Sequence, residues 1–313
     1  MPECLTLAHS PDSDDLVMWW PLVGMTDADG QPVEGELGKP SVTDDRFTFE
    51  LLAEDVQALN RRAIETADLD ITAVSAHAYP HIKDAYRITA TAGSFGEGYG
   101  PKLVAPEIGA VTDLHDLGKG DKTVAVPGVH TSAYLTTRLL VGRDFPIIEK
   151  PFEEVAGAVL KGEAQAGLLI HEAQLTTGQG DDLQIIADIG AEWDRRFGMP
   201  LPLGLNVVKR DLDDRFGAGT VEHIARLLER SVHFAVEHRA ESREFLRMRA
   251  HLRPEWADDA LVERYLDMYV SGLTLNMGER GVGALRKLLG DGHAAGLCPD
   301  PGPIDVAGLS SGA

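Results

Sequence analysis

The chain carries two stretches whose residue types suit acid–base or anion-binding chemistry, together with two histidines spaced as metal ligands would be. The first stretch is Ala166-Gly167-Leu168-Leu169-Ile170-His171-Glu172, an apolar run that ends in an imidazole and a carboxylate. A short, wholly apolar run reads as a strand buried on both faces. Ligands of open α/β sheets collect beyond the carboxyl ends of such strands, and His171 stands at one. Its neutral imidazole, with an ordinary pKa of about 6.5, is available as a general base near neutral pH. A hydrogen-bonded strand-end histidine with no chemical role has the same local sequence, and the stretch alone leaves both readings open. Glu172 points the other way by strand alternation and is left out of the chemistry.

The second stretch is Thr123-Val124-Ala125-Val126 followed by Pro127-Gly128-Val129-His130-Thr131-Ser132 and an apolar-periodic segment from Ala133. Strand, glycine turn, hydroxyl residues and helix start make an anion site, because the free N–H groups and the dipole of the helix attract a carboxylate. Thr131 and Ser132 would add hydroxyls; a plain N-cap is the alternative. His77 and His81 have the i, i+4 spacing of a helical metal pair, but Pro80 lies between them and no carboxylate completes the set, so no metal site is expected. The glycines of Gly93 to Pro101 lack the dinucleotide-binding spacing and serve unusual backbone angles or close approach instead.

The elements that position these residues alternate between strand and helix. Strands are expected at 4–8, 47–51, 70–75, 102–105, 123–126, 146–148, 166–170 and 183–187, with a long extended segment at 199–208. Helices follow Asp12 (stopping near Pro21), Asp55, Ser132, Val155 and Ala191, and the region from 220 to 290 is helical. Trp19 and Trp20 read as core, residues 24–46 as a surface excursion, and the tail from Pro299 as loop. The β-α-β order predicts parallel sheets. Two α/β units in succession, followed by helices that pack back on the first, give a large discontinuous lobe (1–105 plus 204–313) and a smaller inserted lobe (106–203). Ser10 and Ser75 then face Thr131, Ser132 and His171 across a cleft, the organisation of a type II periplasmic-binding-protein-like fold.

Composition sets the outer limits. In 313 residues there are 29 basic and 50 acidic side chains, a net charge of −21, which argues against nucleic acid as a partner. No signal peptide or membrane-spanning run is found, and Cys4 and Cys298 form no metal motif, so a cytoplasmic protein is expected. Its oligomeric state is not legible.

Several stretches together resemble the 1,4-dihydroxy-6-naphthoate synthases of menaquinone biosynthesis by the futalosine route. They are His9-Ser10-Pro11-Asp12-Ser13-Asp14-Asp15, Ser75-Ala76-His77-Ala78-Tyr79, Gly98-Tyr99-Gly100-Pro101, Val126 to Tyr134, Gly167 to Glu172 and Pro200-Leu201-Pro202-Leu203-Gly204. The resemblance implies a two-lobed lyase that acts on the small carboxylate cyclic dehypoxanthine futalosine and releases the bicyclic naphthoate without a metal or other cofactor. It places the family's base on His171 and its substrate-contacting segments on Ala73-Val74-Ser75 and Thr131-Ser132. Some members carry lysine where this chain has Ala73, so cationic help for the carboxylate is absent there. A chorismate dehydratase of the same pathway and a non-catalytic small-anion-binding protein are the alternatives.

Overall fold

The computed structural model describes residues 2–27, 29–107, 109, 111–170 and 182–309. In chain order its strands are β1 (Glu3–His9), β2 (Phe47–Ala53), β3 (Ile71–Ser75), β4 (Tyr86–Thr89), β5 (Ser94–Gly96), β6 (Lys102–Pro106), β7 (Val124–Val126), β8 (Ile147–Glu149), β9 (Ala166–Leu169), β10 (Leu183–Asp188), β11 (Leu201–Lys209) and β12 (Val306–Ala307). The helices that matter to the site are α1 (Ser13–Val23), α2 (Val56–Glu65), α3 (Tyr79–Ile82) and α4 (Ser132–Val141).

The strands form two sheets. The first runs β12-β4-β11-β3-β1-β2, with β5 paired to β11, and the second runs β10-β6-β9-β7-β8. Both have the same plan. A parallel trio (β2-β1-β3, or β8-β7-β9) is flanked by an antiparallel strand that has crossed from the other sheet. That strand is β11 in the first sheet and β6 in the second. The sheets are therefore mixed rather than parallel as the β-α-β order predicts, because the crossing strand enters each sheet from the opposite direction. Sheet membership changes between Gly96 and Lys102 and again between Asp188 and Leu201. The 105/106 and 203/204 boundaries expected from sequence fall at the end of β6 and inside β11.

Local chemistry accounts for the elements at the site. Every residue of β3 and β9 is buried, which suits strands covered on both faces. Asp55 caps α2 by accepting from the N–H groups of Gln57 (2.8 Å) and Ala58 (3.2 Å). Helix α1 runs through Pro21 to Val23 rather than stopping at it. The proline sits in the last turn, where its carbonyl accepts from the N–H groups of Ser41 and Val42, and Gly24 closes the helix at φ 86°. Trp19 and Trp20 are fully buried, as expected of core residues.

The glycine-rich segment serves backbone packing. A Cβ on Gly96 would lie 2.0 Å from the Tyr99 carbonyl oxygen, and one on Gly190 only 1.9 Å from that same oxygen. The two crossings between the sheets touch there through bare backbone, which is the close approach the glycines permit. Three strands were not foreseen. Ser94–Gly96, three residues within the glycine-rich segment, pairs antiparallel with β11. Tyr86–Thr89 has too few alternating positions to stand out, and Val306–Ala307, in a tail of loop composition, is held by parallel pairing with β4. The excursion at 24–46 is pinned by buried Met25 and Val42.

Candidate active site

A cavity of about 760 Å³, mouth included, opens where the carboxyl ends of β1 and β3 meet the start of α4. Ser10, Ala73, Val74, Ser75, Thr131 and Ser132 all line it. These residues span more than a hundred positions of sequence, and sheet topology brings them together. His171 lies outside the described residues; Ile170, which precedes it, lines the cavity.

One end is built for an anion. Thr131 is the N-cap of α4, at φ −78° and ψ 146°. Its hydroxyl donates to the Gly128 carbonyl (2.8 Å) and accepts from the Tyr134 N–H (3.3 Å). Ser132 Oγ donates to the Leu203 carbonyl (2.6 Å) and accepts from the His77 N–H (3.3 Å). Both hydroxyl protons are thus committed to protein carbonyls, contrary to the expectation that they hold the ligand. The first-turn N–H groups of Ser132 and Ala133 have no intrahelical acceptor and present the helix dipole instead. Ser75 exchanges two hydrogen bonds with Asn60: its N–H donates to Oδ1 (2.8 Å) and its Oγ accepts from Nδ2 (3.1 Å). The Ser75 O–H proton is left for a ligand. None of the described lining residues is lysine or arginine.

Part of the wall is acidic. Asp12, Asp14 and Asp15 line the cavity and are almost wholly buried. Asp12 accepts from Ser10 Oγ (2.8 Å) and faces Arg253 Nη2 at 3.5 Å; Asp15 accepts from the Ser10 N–H (2.9 Å). Burial pushes the Asp15 carboxyl above its usual range, against the pull of His9. Tyr265 reaches Asp14 with its hydroxyl (3.4 Å). In the sequence these carboxylates read only as acidic residues at a helix start; nothing local distinguishes a helix start that opens into a cavity. Asn206 of β11, likewise in the lining, sits in a strand whose sequence signals only burial.

Behind the anion end, His77, His81 and His130 come together with ring centroids 5.2 to 6.3 Å apart. Among the described residues no group of three or more His, Cys, Asp or Glu side chains is placed to hold a metal. His77 is 3% exposed, and its Nε2 faces the Leu297 carbonyl at 3.3 Å. Burial, assisted by repulsion from His130 and His81, lowers its pKa from 6.5 to about 4. The neutral form is therefore the folded form. As pH falls below 6.5 the unfolded chain takes up the proton first, and stability is lost progressively down to about 4. The full loss is of order 3 kcal/mol. Denaturant melts across this range should show a shallower decline in His77→Gln than in the unmodified chain; parallel declines would remove His77 as the cause.

A family model described as menaquinone biosynthesis matches residues 5–294. The chain is 33% identical over 305 residues to a 1,4-dihydroxy-6-naphthoate synthase of Thermus thermophilus, covering 97% of this chain and all of that protein. It is 32% identical to the synthase of Streptomyces coelicolor, covering 84% of this chain and 94% of the relative. Among solved structures, a protein from Archaeoglobus fulgidus superposes with a TM-score of 0.74 at 35% identity, covering 94% of this chain and 98% of that one. The alkanesulfonate-binding protein SsuA of Xanthomonas axonopodis superposes with a TM-score of 0.60 at 15% identity, covering 97% and 96% of the two chains, a likeness of fold alone. The two-sheet architecture is thus periplasmic-binding-protein-like, and the chain belongs to the menaquinone-biosynthesis enzyme family that includes the 1,4-dihydroxy-6-naphthoate synthases.

Proposed function

We propose that the protein is a carbon–carbon lyase that converts cyclic dehypoxanthine futalosine to 1,4-dihydroxy-6-naphthoate, with His171 as the general base. One observation carries this reading. In a chain one-third identical to two such synthases, the strand end 73–75, the start of α4 and the residue before His171 all line one cavity. We propose further that the two sheets are the cores of two lobes that close on the ligand about the crossings at 97–101 and 189–200.

The substrate carboxylate lies at the start of α4, held by the N–H groups of Ser132 and Ala133 and by the Ser75 hydroxyl. Thr131 and the Ser132 hydroxyl hold the cap in shape. His171 removes a proton from the carbon next to the substrate carbonyl. The electron pair of that C–H bond moves to the carbonyl oxygen as an enolate; the enolate then collapses and breaks the carbon–carbon bond to the sugar-derived fragment, which leaves with the bonding pair and takes up the proton held by His171, and the remaining ring is aromatised. A neutral imidazole suits the first step, and a general base contributes about 10²–10⁴-fold. Orientation in a closed cavity and donors at the enolate oxygen supply more.

A paired assay tests the proposal. The purified protein is incubated with cyclic dehypoxanthine futalosine and, separately, with chorismate. Formation of the naphthoate from the first and no reaction of the second is the expected result. Turnover of chorismate would assign the dehydratase reaction, and binding without turnover of either would assign a small-anion-binding role.

A further inference from the structure

The cavity wall is chemically mixed, and its acidic side chains have no assigned task. Asn206 lines the same cavity, 2% exposed, directly opposite Ala73 in the β11–β3 ladder, so the two side chains share a face. Its Nδ2 donates to the Ala92 carbonyl (2.9 Å), which fixes the amide's orientation, since the flipped amide would set oxygen against oxygen. Its Oδ1 is buried and meets no hydrogen-bond donor among the described residues. The next strand positions are the buried apolar residues Val207 and Val208. A buried amide oxygen left unsatisfied lowers stability relative to an apolar side chain, so packing alone does not account for asparagine here. Asp15 shares the cavity wall, and its carboxylate keeps acceptor capacity beyond its bonds from the Ser10 N–H and side chain.

We propose that Asn206 is a specificity residue whose Oδ1, together with the Asp15 carboxylate, accepts hydrogen bonds from the hydroxyls of a neutral, sugar-like part of the ligand. The acidic wall then sets the ligand's direction. It repels a carboxylate, which goes to the start of α4, and it accepts hydroxyls, which point the other way. The inference rests on the reading of a carboxylate ligand held at α4. It fits a substrate derived from a nucleoside that has lost its base, because such a molecule keeps its sugar hydroxyls.

The test uses a matched pair of ring carboxylates: shikimate, with three hydroxyls, and cyclohex-1-ene-1-carboxylate, with none. By titration calorimetry the unmodified protein is expected to bind shikimate about tenfold more tightly, and Asn206→Leu to lose that preference while binding the unhydroxylated acid as before. Asn206→Ala, which removes the acceptor without adding bulk, should behave in the same way. Equal or undetectable binding of the two acids by the unmodified protein, or a preference that survives in both variants, overturns the proposal. So does an equal loss for both acids, which is what a purely structural role produces. With cyclic dehypoxanthine futalosine the variants should raise KM and leave kcat within about threefold. A failure of the unmodified protein to turn that compound over would sink the assigned reaction, whereas the matched pair judges Asn206 independently of it.

Discussion

Replacing His171 by asparagine is expected to lower turnover of cyclic dehypoxanthine futalosine by at least about a hundredfold while leaving affinity for 1,4-dihydroxy-6-naphthoate within about threefold. Asparagine keeps a polar group of similar reach but cannot take up a proton near neutral pH, so the change isolates basicity from shape. A base acts in the transition state, and its loss should appear in kcat rather than in binding. The acid limb of the pH–rate profile supplies a second readout. In the unmodified protein kcat/KM should fall on the acid side as the base is protonated, and that limb should vanish in the variant. Near-normal turnover in His171→Asn would remove the assignment. Attention would then pass to Asp15, a buried carboxyl of raised pKa in the cavity wall.

What could be read from sequence follows from how local the signal is. Strand β9 announces itself because four consecutive buried positions need apolar residues, and α4 because a strand, a glycine turn and hydroxyl residues precede an apolar period. Ile170, just past β9, and Ser132, the first residue of α4, line the cavity, and element ends are where ligands of such sheets bind. The antiparallel entry of β6 and β11 was invisible because strand direction is decided by what the partner strand does, not by the residues of the strand itself. Likewise Asn206 gains meaning only from Ala73 across the ladder and Ala92 beyond it. The hydroxyls of Thr131 and Ser132 illustrate a subtler limit. Sequence identifies the donors, but their acceptors, Gly128 and Leu203, lie on the preceding turn and on the returning strand. Only the fold shows that those protons are already in use.

That last point makes the sharpest demand on the anion site, and Ser132→Pro meets it. Ser132 is the first residue of α4, where proline is accommodated and removes an N–H that has no intrahelical partner. The preceding residue must be extended before a proline, and Thr131 at ψ 146° already is. Ser132→Ala removes only the hydroxyl, with its bonds to the Leu203 carbonyl and from the His77 N–H. The difference between the two variants therefore reports the backbone N–H. A hydrogen bond to a charged group contributes about 1.5–3 kcal/mol, so the proline variant should bind the naphthoate about 10- to 100-fold more weakly than the alanine variant. The methyl ester of the naphthoate, which carries no charge, controls for shape: its affinity should be nearly the same in both variants. If the ester is lost along with the acid, the ring has simply blocked the cavity. If proline and alanine variants bind the acid equally, the helix start does not hold the carboxylate, and Ser75, with its proton still available beside Asn60, becomes the residue to replace next.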